Sequence, residues 1–304
     1  MSQKPDLVCV GHIVREMITF PDGVKGPFLG SPPAYCSVAA ARQGTKTGLV
    51  TKIGPDMPSE LLVPFADAGV DTTGLLHTGM TTGSELIYDA NGNKEIRYPA
   101  KADPINAADI PEAFRNCRLM YICTMDNDVT PQDIPGVVAL GEVSGVDLGG
   151  YGGVHMSKAN RAACPDLAAL ANGVAANFNI VKASDEDAIA IFGWDDPDKA
   201  AKIWLDGGSD VAVITAGSKG ALVYTSKGKT IVPPLPIKAI DTTGGGDTFM
   251  AGFLSEYLRS ADPIRSAQWG SATAACVIQK TGGVTASRMP AFEDVKAYVD
   301  QYYL

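Results

Sequence analysis

The sequence predicts an α/β protein in which a mainly parallel sheet is flanked by helices. Short apolar runs alternate with helical patterns along most of the chain, as in successive βαβ units. The C-terminal part instead consists of one helical pattern after another. Two segments, 12–30 and 82–100, break the alternation with strand-like stretches and turn residues. These observations favour one large sheet accompanied by a small β-sheet lid.

The strands of the main sheet are predicted from short apolar runs, which are typical of strands buried on both faces. Several of the helical patterns have an acidic residue or a serine near their start. The predicted strands are 7–10, 47–53, 119–123, 145–148, 179–182, 211–215 and 221–224. The predicted helices are 33–42, 59–68, 185–192, 197–205, 247–259, 263–279 and 291–302.

The lid is predicted from strand-like stretches at 13–20 and 85–98. Pro21-Asp22-Gly23 is a turn signal in the first segment, and Asn91-Gly92 makes the second a hairpin candidate. A lid made of two pieces can cover a bound substrate and exclude water. The alternative is an edge hairpin without such a role.

Composition excludes several classes of protein. The chain has 304 residues, a formal net charge of −9 and 45% hydrophobic residues, which fits a globular protein and argues against a nucleic-acid-binding surface. No apolar stretch approaches the length of a membrane helix, and the N-terminal apolar run is too short for a signal peptide. Six cysteines without a CxxC pair indicate reduced thiols. We therefore expect a cytoplasmic protein with no membrane or nucleic-acid partner.

The segment 241–254, DTTGGGDTFMAGFL, carries the clearest chemical signal of the chain. Gly244, Gly245 and Gly246 stand at the start of a predicted helix, where backbone N–H groups can point at one anion. Asp247 follows them, in the position of a base that takes a proton from a hydroxyl attacking phosphorus. The alternative is an ordinary tight turn in which Asp247 is the N-cap.

This segment resembles the DTxGAGD signature of the PfkB, or ribokinase-like, family of carbohydrate and nucleoside kinases, with Gly245 in place of the alanine. The resemblance implies an enzyme that transfers the γ-phosphoryl group of ATP to a hydroxyl. Asp247 would be the general base, and the three glycines would form an anion hole. Mg²⁺ would be the metal cofactor, and a monovalent cation such as K⁺ would bind near Asp241.

The resemblance also implies a fold and an assembly. The fold is the ribokinase-like three-layer αβα sandwich, with residues 1–304 as a single kinase domain and the lid in segments 12–30 and 82–100. Dimers formed through the lid occur in the family, so a homodimer is one alternative, and the oligomeric state stays open.

The acceptor side of the site is predicted from the family resemblance in the N-terminal part of the chain. Glu16 stands where the family has an acidic residue that binds substrate hydroxyls, although a lid residue facing solvent is the alternative. Gly30, Ser31 and Tyr35 match the family's GGxxxN segment, with Ser31 at the second glycine and Tyr35 at the asparagine. Because tyrosine offers one hydroxyl and an apolar face, the acceptor pocket should differ from that of a ribokinase.

A second motif lies in the middle of the chain, at Lys182 to Asp187. Ser184 and Asp187 match the NxxE motif that the family uses for magnesium and phosphate, and Asp187 would act on Mg²⁺ through water. Lys182 is predicted to bind the cofactor together with Ser184 and Asp187. The alternative is that the acidic run caps a helix. Asp147 ends the preceding strand and is expected to face the same cleft as a substrate residue.

A third motif resembles the family's nucleotide-contacting TxGxxG turn. Its residues are Thr215, Gly217 and Gly220, which follow a predicted buried strand. A β-turn between strands explains the same glycines. Because this motif occurs together with the glycine cluster further along the chain, we favour a nucleotide site.

The acceptor itself stays open at this point. A small sugar or polyol is favoured because the sequence contains no clear aromatic clamp for a second base, and a nucleoside or myo-inositol is the alternative. A relative that senses a sugar or nucleotide without turnover is a further alternative. A dinucleotide oxidoreductase is excluded because Gly11-His12-Ile13-Val14 does not supply GxGxxG after the first strand.

Overall fold

The structure is a computed structural model that describes residues 4–88 and 94–304. Within these residues, thirteen strands form two sheets. The strands are β1 (Leu7–Val10), β2 (Val14–Phe20), β3 (Gly23–Gly30), β4 (Thr47–Ile53), β5 (Asp71–His77), β6 (Thr82–Tyr88), β7 (Lys94–Ala100), β8 (Cys117–Cys123), β9 (Gly141–Asp147), β10 (Ile180–Ser184), β11 (Val211–Thr215), β12 (Ala221–Thr225) and β13 (Gly228–Val232).

The larger sheet has nine strands among the described residues, in the order β13-β12-β11-β10-β9-β8-β1-β4-β5. Every neighbouring pair from β11 to β5 is parallel, whereas β12 and β13 are antiparallel at one edge. The predicted mainly parallel sheet is therefore confirmed. The edge strands β5 and β13 were not predicted, because both are partly exposed and lack the apolar run of a buried strand.

Ten α-helices are present in the described part of the chain. None of them is long and apolar enough to span a lipid bilayer. They are α1 (Pro32–Arg42), α2 (Val63–Ala68), α3 (Ile134–Val138), α4 (Lys158–Ala163), α5 (Leu167–Ala175), α6 (Asp185–Phe192), α7 (Pro197–Asp206), α8 (Gly245–Ser260), α9 (Pro263–Ile278) and α10 (Phe292–Tyr302).

The helices form two layers because successive strand residues point to opposite faces of the sheet. On β1, Leu7 and Cys9 pack in one core with α1, α2, α8 and α9. Val8 and Val10 pack in a second core with α3, α5, α6 and α7. The three-layer αβα arrangement predicted from the family resemblance is confirmed.

Some helix boundaries differ from the predicted ones. The predicted helix 59–68 is a 3-10 turn, Ser59–Leu62, followed by α2. The helices α4 and α5 were not predicted, although Ser157 and Asp166 cap them with their side chains and were available as start signals. The helix predicted to begin at residue 247 begins two residues earlier, after Gly244.

The smaller sheet confirms the predicted lid strands. Its order is β3-β2-β6-β7, with antiparallel hairpins β2-β3 and β6-β7 joined by a parallel pair between β2 and β6. A turn at residues 21 and 22 joins β2 to β3. The turn predicted at Asn91-Gly92 lies outside the described residues.

The strand order positions the functional site. The strand β1 pairs with β4 on one side and with β8 on the other, so the strand order reverses between β1 and β8. In open α/β sheets, ligands bind beyond the carboxyl ends of the strands at such a point. Asp147, Ser184 and Thr215 are the last residues of β9, β10 and β11, at this edge of the sheet.

Candidate active site

The N-terminus of α8 is the centre of the candidate site. Gly244 is its N-cap and has a φ of 76°, in the left-handed region that favours glycine. A Cβ at this position would overlap Cε1 of Tyr35, so glycine is required for a second reason. The N–H of Gly245 donates to the carbonyl of Thr242 over 3.0 Å. Tyr35 therefore packs directly against the glycine loop.

Asp247 lies on the first turn of α8, two residues inside the helix. The structure does not use it as the N-cap, because Gly244 occupies that position. Burial raises the pKa of Tyr35, and the negative charges of Glu16 and Asp247 raise it further, against the lowering effect of the Arg288 charge. The half-buried Asp247 carboxylate is thus within electrostatic reach of Tyr35.

A buried ion pair lies beneath the glycine loop. Lys182 Nζ, from the middle of β10, is 2.7 Å from Oδ2 of Asp147, the last residue of the neighbouring strand β9. Burial lowers the pKa of Lys182, but the charges of Asp147, Asp187 and Asp247 outweigh burial and raise it above its usual value. A Cβ on Gly246 would lie 3.3 Å from Lys182 Nζ. The structure therefore places a positive charge next to the predicted anion hole.

Asp147 is held in this ion pair rather than directed toward an acceptor. Its Oδ1 accepts a hydrogen bond from the N–H of Gly149 over 2.9 Å, and its Oδ2 contacts Lys182. Only 2% of the residue is exposed. In this geometry Asp147 positions Lys182.

Ser184 and Asp187 form the capping box of α6. The Asp187 carboxylate accepts hydrogen bonds from the N–H groups of Ser184 and Val154 and from the Ser184 hydroxyl. Burial raises the pKa of Asp187, but the charges of Lys182 and His155 and the hydrogen bonds from Ser184 hold it below its usual value. Three donors already occupy the carboxylate, so water-mediated contact with a metal fits better than direct ligation. The described residues contain no group of three histidine, cysteine or acidic side chains that could hold a metal ion.

A cavity of about 630 Å³ opens beside the glycine loop, within the usual size range of small-molecule sites. Two predicted motifs meet in it, although they are far apart in the sequence. They are Thr215, Gly217 and Gly220 from the turn after β11, and Gly245 and Gly246 from α8.

The apolar wall of this cavity was not predicted. One part is the segment 234–237, and another is a face of α9 formed by Ser271, Ala274, Ala275 and Ile278. The spacing of these four residues is that of one helix face, and three of them are small. The helix-face spacing could be recognised in the sequence. Its position beside the glycine loop, however, depends on the fold.

The acceptor side lies across α8, at the hinge between the lid and α1. Glu16 on β2 is only 8% exposed, so the alternative of a lid residue facing solvent is wrong. A Cβ on Gly30 would lie 3.3 Å from the Oε2 atom of Glu16. Ser31 has a φ of 94° and a ψ of 155°, a conformation that is nearly exclusive to glycine. The Ser31 hydroxyl is buried and has no hydrogen-bond partner among the described residues.

Tyr98 on β7 is an aromatic residue near these acidic groups that was not predicted. Its hydroxyl donates to the carbonyl of His155 over 2.8 Å. Burial raises the pKa of Tyr98, and the charges of Asp128, Asp126 and Glu16 raise it further. Tyr98 and Tyr35 are thus both within electrostatic reach of Glu16.

The surroundings of Asp241 were predicted only in part. Arg288 is 2% exposed, and its Nη2 lies 3.5 Å from Asp241 Oδ2 and 3.0 Å from the carbonyl oxygen of Thr243. Its Nη1 donates to the Tyr35 hydroxyl over 3.2 Å. Sequence reasoning missed Arg288, although it is the one charged residue of the segment 281–290. The predicted cation position beside Asp241 therefore has a guanidinium next to it.

Comparison with known proteins gives the family. The profile described as pfkB family carbohydrate kinase matches residues 32–290. The chain belongs to the PfkB family. The family assignment predicted from the motifs is confirmed, and the chain is a phosphotransferase that acts on a hydroxyl group.

Individual relatives span most of this PfkB chain. It is 30% identical to a cytidine kinase from Thermococcus kodakarensis over 282 residues, which cover 91% of the chain and 97% of the relative. The fructokinase of Xylella fastidiosa, solved with bound ATP, is 21% identical with a TM-score of 0.81 and coverage of 97% and 98%. A double mutant of the Vibrio cholerae fructokinase, solved with fructose, ADP and potassium, is 21% identical with a TM-score of 0.79 and coverage of 98% and 99%. These structures support the ribokinase-like fold.

The predicted residues of this PfkB chain fall into three groups by their surroundings. The glycines of α8 and the turn after β11 share one cavity, and Lys182 lies beneath the loop. Glu16, Gly30 and Tyr35 lie together at the lid hinge. The carboxylate oxygens of Asp147 and Asp187 instead accept hydrogen bonds from neighbouring residues. These two side chains therefore act on the site through their neighbours.

Proposed function

We propose that this PfkB kinase transfers the γ-phosphoryl group of ATP to a hydroxyl of a small sugar or polyol, with Asp247 as the general base. One observation carries the proposal. The first turn of α8 lines the 630 Å³ cavity with Gly245 and Gly246, and at Gly244 it packs against Tyr35 on the acceptor side. Asp247 lies on this turn, between the two sides.

The nucleotide fits the cavity beside α9. Its apolar wall suits a base, and Thr215, Gly217 and Gly220 are the proposed contacts on the opposite side. The phosphates would face the positive end of α8, a helix of 16 residues, with Lys182 beneath it. The N–H of Gly245 already donates to Thr242, so Gly244 and Gly246 are the main glycine donors in the proposed anion hole.

Magnesium bound with ATP would neutralise charge on the phosphate oxygens. Asp187, together with Ser184, is the proposed residue that would hold it, and the contact would run through water. The engaged carboxylate oxygens of Asp187 fit this indirect role. Asp147 contributes by keeping Lys182 charged and in place.

The chemical step follows from these positions. The Asp247 carboxylate takes the proton of the acceptor hydroxyl, whose oxygen attacks the γ-phosphorus while the bond to the ADP oxygen breaks. Glu16 and the unpaired hydroxyl of Ser31 are proposed to bind other hydroxyls of the acceptor. Gly30 brings the backbone close to Glu16, and the lid strands exclude water, which would otherwise compete as an acceptor.

A nucleoside is the second candidate acceptor. Tyr98 supplies an aromatic side chain within electrostatic reach of Glu16, as Tyr35 does, which the sequence had not suggested. The cytidine kinase relative favours the same class. A base stacked on an aromatic ring, with its ribose at Glu16, would account for both observations.

A panel of acceptors tests the proposal. The chain would be incubated with ATP, Mg²⁺ and either a sugar, a polyol such as myo-inositol, or a nucleoside such as cytidine, and the phosphorylated product would be identified by NMR. We expect one class to give a phosphate ester and ADP in equal amounts. Binding of ATP and acceptors without any ester would instead favour a sensing protein.

Three further expectations stay predictions. They are a cytoplasmic location, a homodimer as the assembly that the family suggests, and a single kinase domain comprising residues 1–304 with the lid in segments 12–30 and 82–100. Light scattering measures the mass of the assembly in solution, and limited proteolysis tests the domain. A K⁺ ion beside Asp241 is less well supported, because Arg288 already contacts that carboxylate.

A further inference from the structure

Arg288 has an unusual set of partners for a buried side chain. Its guanidinium contacts four backbone carbonyl oxygens that come from two separate segments of the chain. The Nη2 atom lies 3.0 Å from the oxygen of Thr243 and 3.4 Å from that of Asp241. The Nε atom lies 3.2 Å from the oxygen of Lys280, and Nη1 donates to the oxygen of Gly282.

A carboxylate and a hydroxyl complete this set of oxygens. Asp241 Oδ2 is 3.5 Å from Nη2, and the Tyr35 hydroxyl is 3.2 Å from Nη1. The guanidinium carbon also lies 5.8 Å from the centre of the Tyr35 ring. Six oxygens therefore surround one buried positive charge.

Such a group of oxygens needs a cation. Several carbonyl dipoles and one carboxylate that point to the same place are the ligands of hard metal ions in proteins. A guanidinium meets the same need, because it is planar, has five N–H donors and keeps its charge at every pH at which proteins fold. The side chain of Arg288 therefore supplies the positive charge and the hydrogen-bond donors that these oxygens need.

A free monovalent cation does not fit beside Asp241. It would need oxygens of Asp241 and Thr243 that the guanidinium already contacts, and it would lie next to a buried like charge. The residues present therefore disagree with the K⁺ site expected from the family resemblance. We infer that the guanidinium of Arg288 takes the place of a monovalent cation, so that phosphoryl transfer in this protein is independent of K⁺.

The position of Arg288 makes it a positioning residue for the proposed kinase reaction, and to that extent the inference rests on the proposed function. Thr243 directly precedes Gly244, the N-cap of α8. Tyr35 packs against Gly244 from the acceptor side. By contacting both Thr243 and Tyr35, Arg288 fixes the loop that presents the helix N-terminus.

The first experiment uses the unchanged protein. Phosphoryl transfer, ATP affinity and melting temperature would be measured in KCl and in tetramethylammonium chloride at equal ionic strength. We expect each quantity to agree between the two salts within about two-fold or a degree, since K⁺ has no site to couple to. A ten-fold or larger stimulation by K⁺ would overturn the inference.

The second experiment removes the guanidinium. In Arg288→Ala, K⁺ should raise the melting temperature and stimulate transfer by about ten-fold or more, because the vacated oxygens become a cation site. Arg288→Lys keeps a positive charge and should stay independent of K⁺. Arg161→Ala is the matched control, since Arg161 also donates to backbone carbonyls, those of Gly152 and Gly153, but forms no ion pair with a carboxylate of the described residues.

The outcomes separate this inference from the proposed function. If no acceptor is phosphorylated, the proposed function fails, while ATP affinity and melting temperature in the two salts still test the role of Arg288. If Arg288→Ala does not fold, the unchanged protein and Arg288→Lys still decide. An Arg288→Ala protein that folds and ignores K⁺ in all three measurements would contradict the inference.

Discussion

The two sides of the α8 N-terminus are built from different parts of the chain. On the nucleotide side, the cavity is lined by glycines and by small or apolar residues of α9. On the proposed acceptor side, the residues expected to contact the substrate are the side chains of Glu16, Ser31, Tyr35 and Tyr98. The departures from the family pattern at Ser31 and Tyr35 fall on this second side. Under the proposed function, we therefore expect the transfer chemistry to follow the family and acceptor recognition to differ from it.

The two sides differ in how many substitutions they can tolerate, because one is formed by backbone groups and the other by side chains. Backbone N–H groups at a helix terminus need one conformation, and Gly244 has no room for a side chain, so few substitutions are tolerated. Side chains at a pocket wall can be exchanged with little effect on the backbone. Ser31 shows this for the acceptor side, because it keeps a glycine-like φ of 94° while adding a hydroxyl.

The largest effect is expected for Asp247→Asn, which removes the proposed base shared by both sides. Turnover should fall by about two to four orders of magnitude, as for loss of a general base, while ATP affinity changes little. Steady-state kinetics and calorimetric titration of ATP measure the two quantities. Asp206→Asn, an exposed carboxylate on α7, is the control and should be neutral. Unchanged turnover in Asp247→Asn would contradict the assignment of Asp247 as the general base.

The next effect concerns Gly244, where the two sides meet. In Gly244→Ala, the new Cβ meets the Tyr35 ring and the backbone keeps a positive φ, so both turnover and acceptor affinity should fall, with a stability loss of about 1–3 kcal/mol. Kinetics and chemical denaturation measure this.

Gly193→Ala is a matched control for this change. Gly193 has a φ of 75°, nearly that of Gly244, but a Cβ there would meet nothing within 4 Å. Its substitution should cost about 1 kcal/mol of stability and leave the kinetics alone. Equal kinetic effects in both variants would mean that the contact with Tyr35 does not matter.

The sequence predicted the parts of the molecule that depend on local pattern. Buried strands such as β1 and β11 consist mainly of apolar residues, so their predicted bounds agree with the structure. The edge strands β5 and β13 alternate irregularly because one side is exposed, and they were missed. The glycine cluster was found because its function needs consecutive residues.

The rest of the site depends on contacts between distant segments. Arg288 reaches Asp241 from 47 residues along the chain, and the α9 wall reaches the glycine loop only through helix packing. No local pattern distinguishes such residues from others of their type. The φ of Ser31 is likewise a property of the hinge backbone and cannot be read from a serine in the sequence.

The nucleotide side can be tested alone through Ser271, which lines the cavity from α9. In Ser271→Phe, the larger side chain should occupy space intended for the nucleotide and raise the KM for ATP by about ten-fold, or about 1.4 kcal/mol. The KM for the acceptor should stay the same. A change in acceptor KM of similar size would show that the two sides are not separate.

The smallest effect is expected on the acceptor side, at Ser31. Both Ser31→Gly and Ser31→Ala remove the buried hydroxyl, so both should raise the acceptor KM by about two- to ten-fold, the usual effect of one neutral hydrogen bond. Only Ser31→Gly also relieves the positive φ, so its melting temperature should exceed that of Ser31→Ala. Calorimetry and kinetics with the identified acceptor measure the two effects. If both variants keep the acceptor KM of the unchanged protein, the Ser31 hydroxyl does not bind the acceptor, and recognition is left to Glu16 and the two tyrosines.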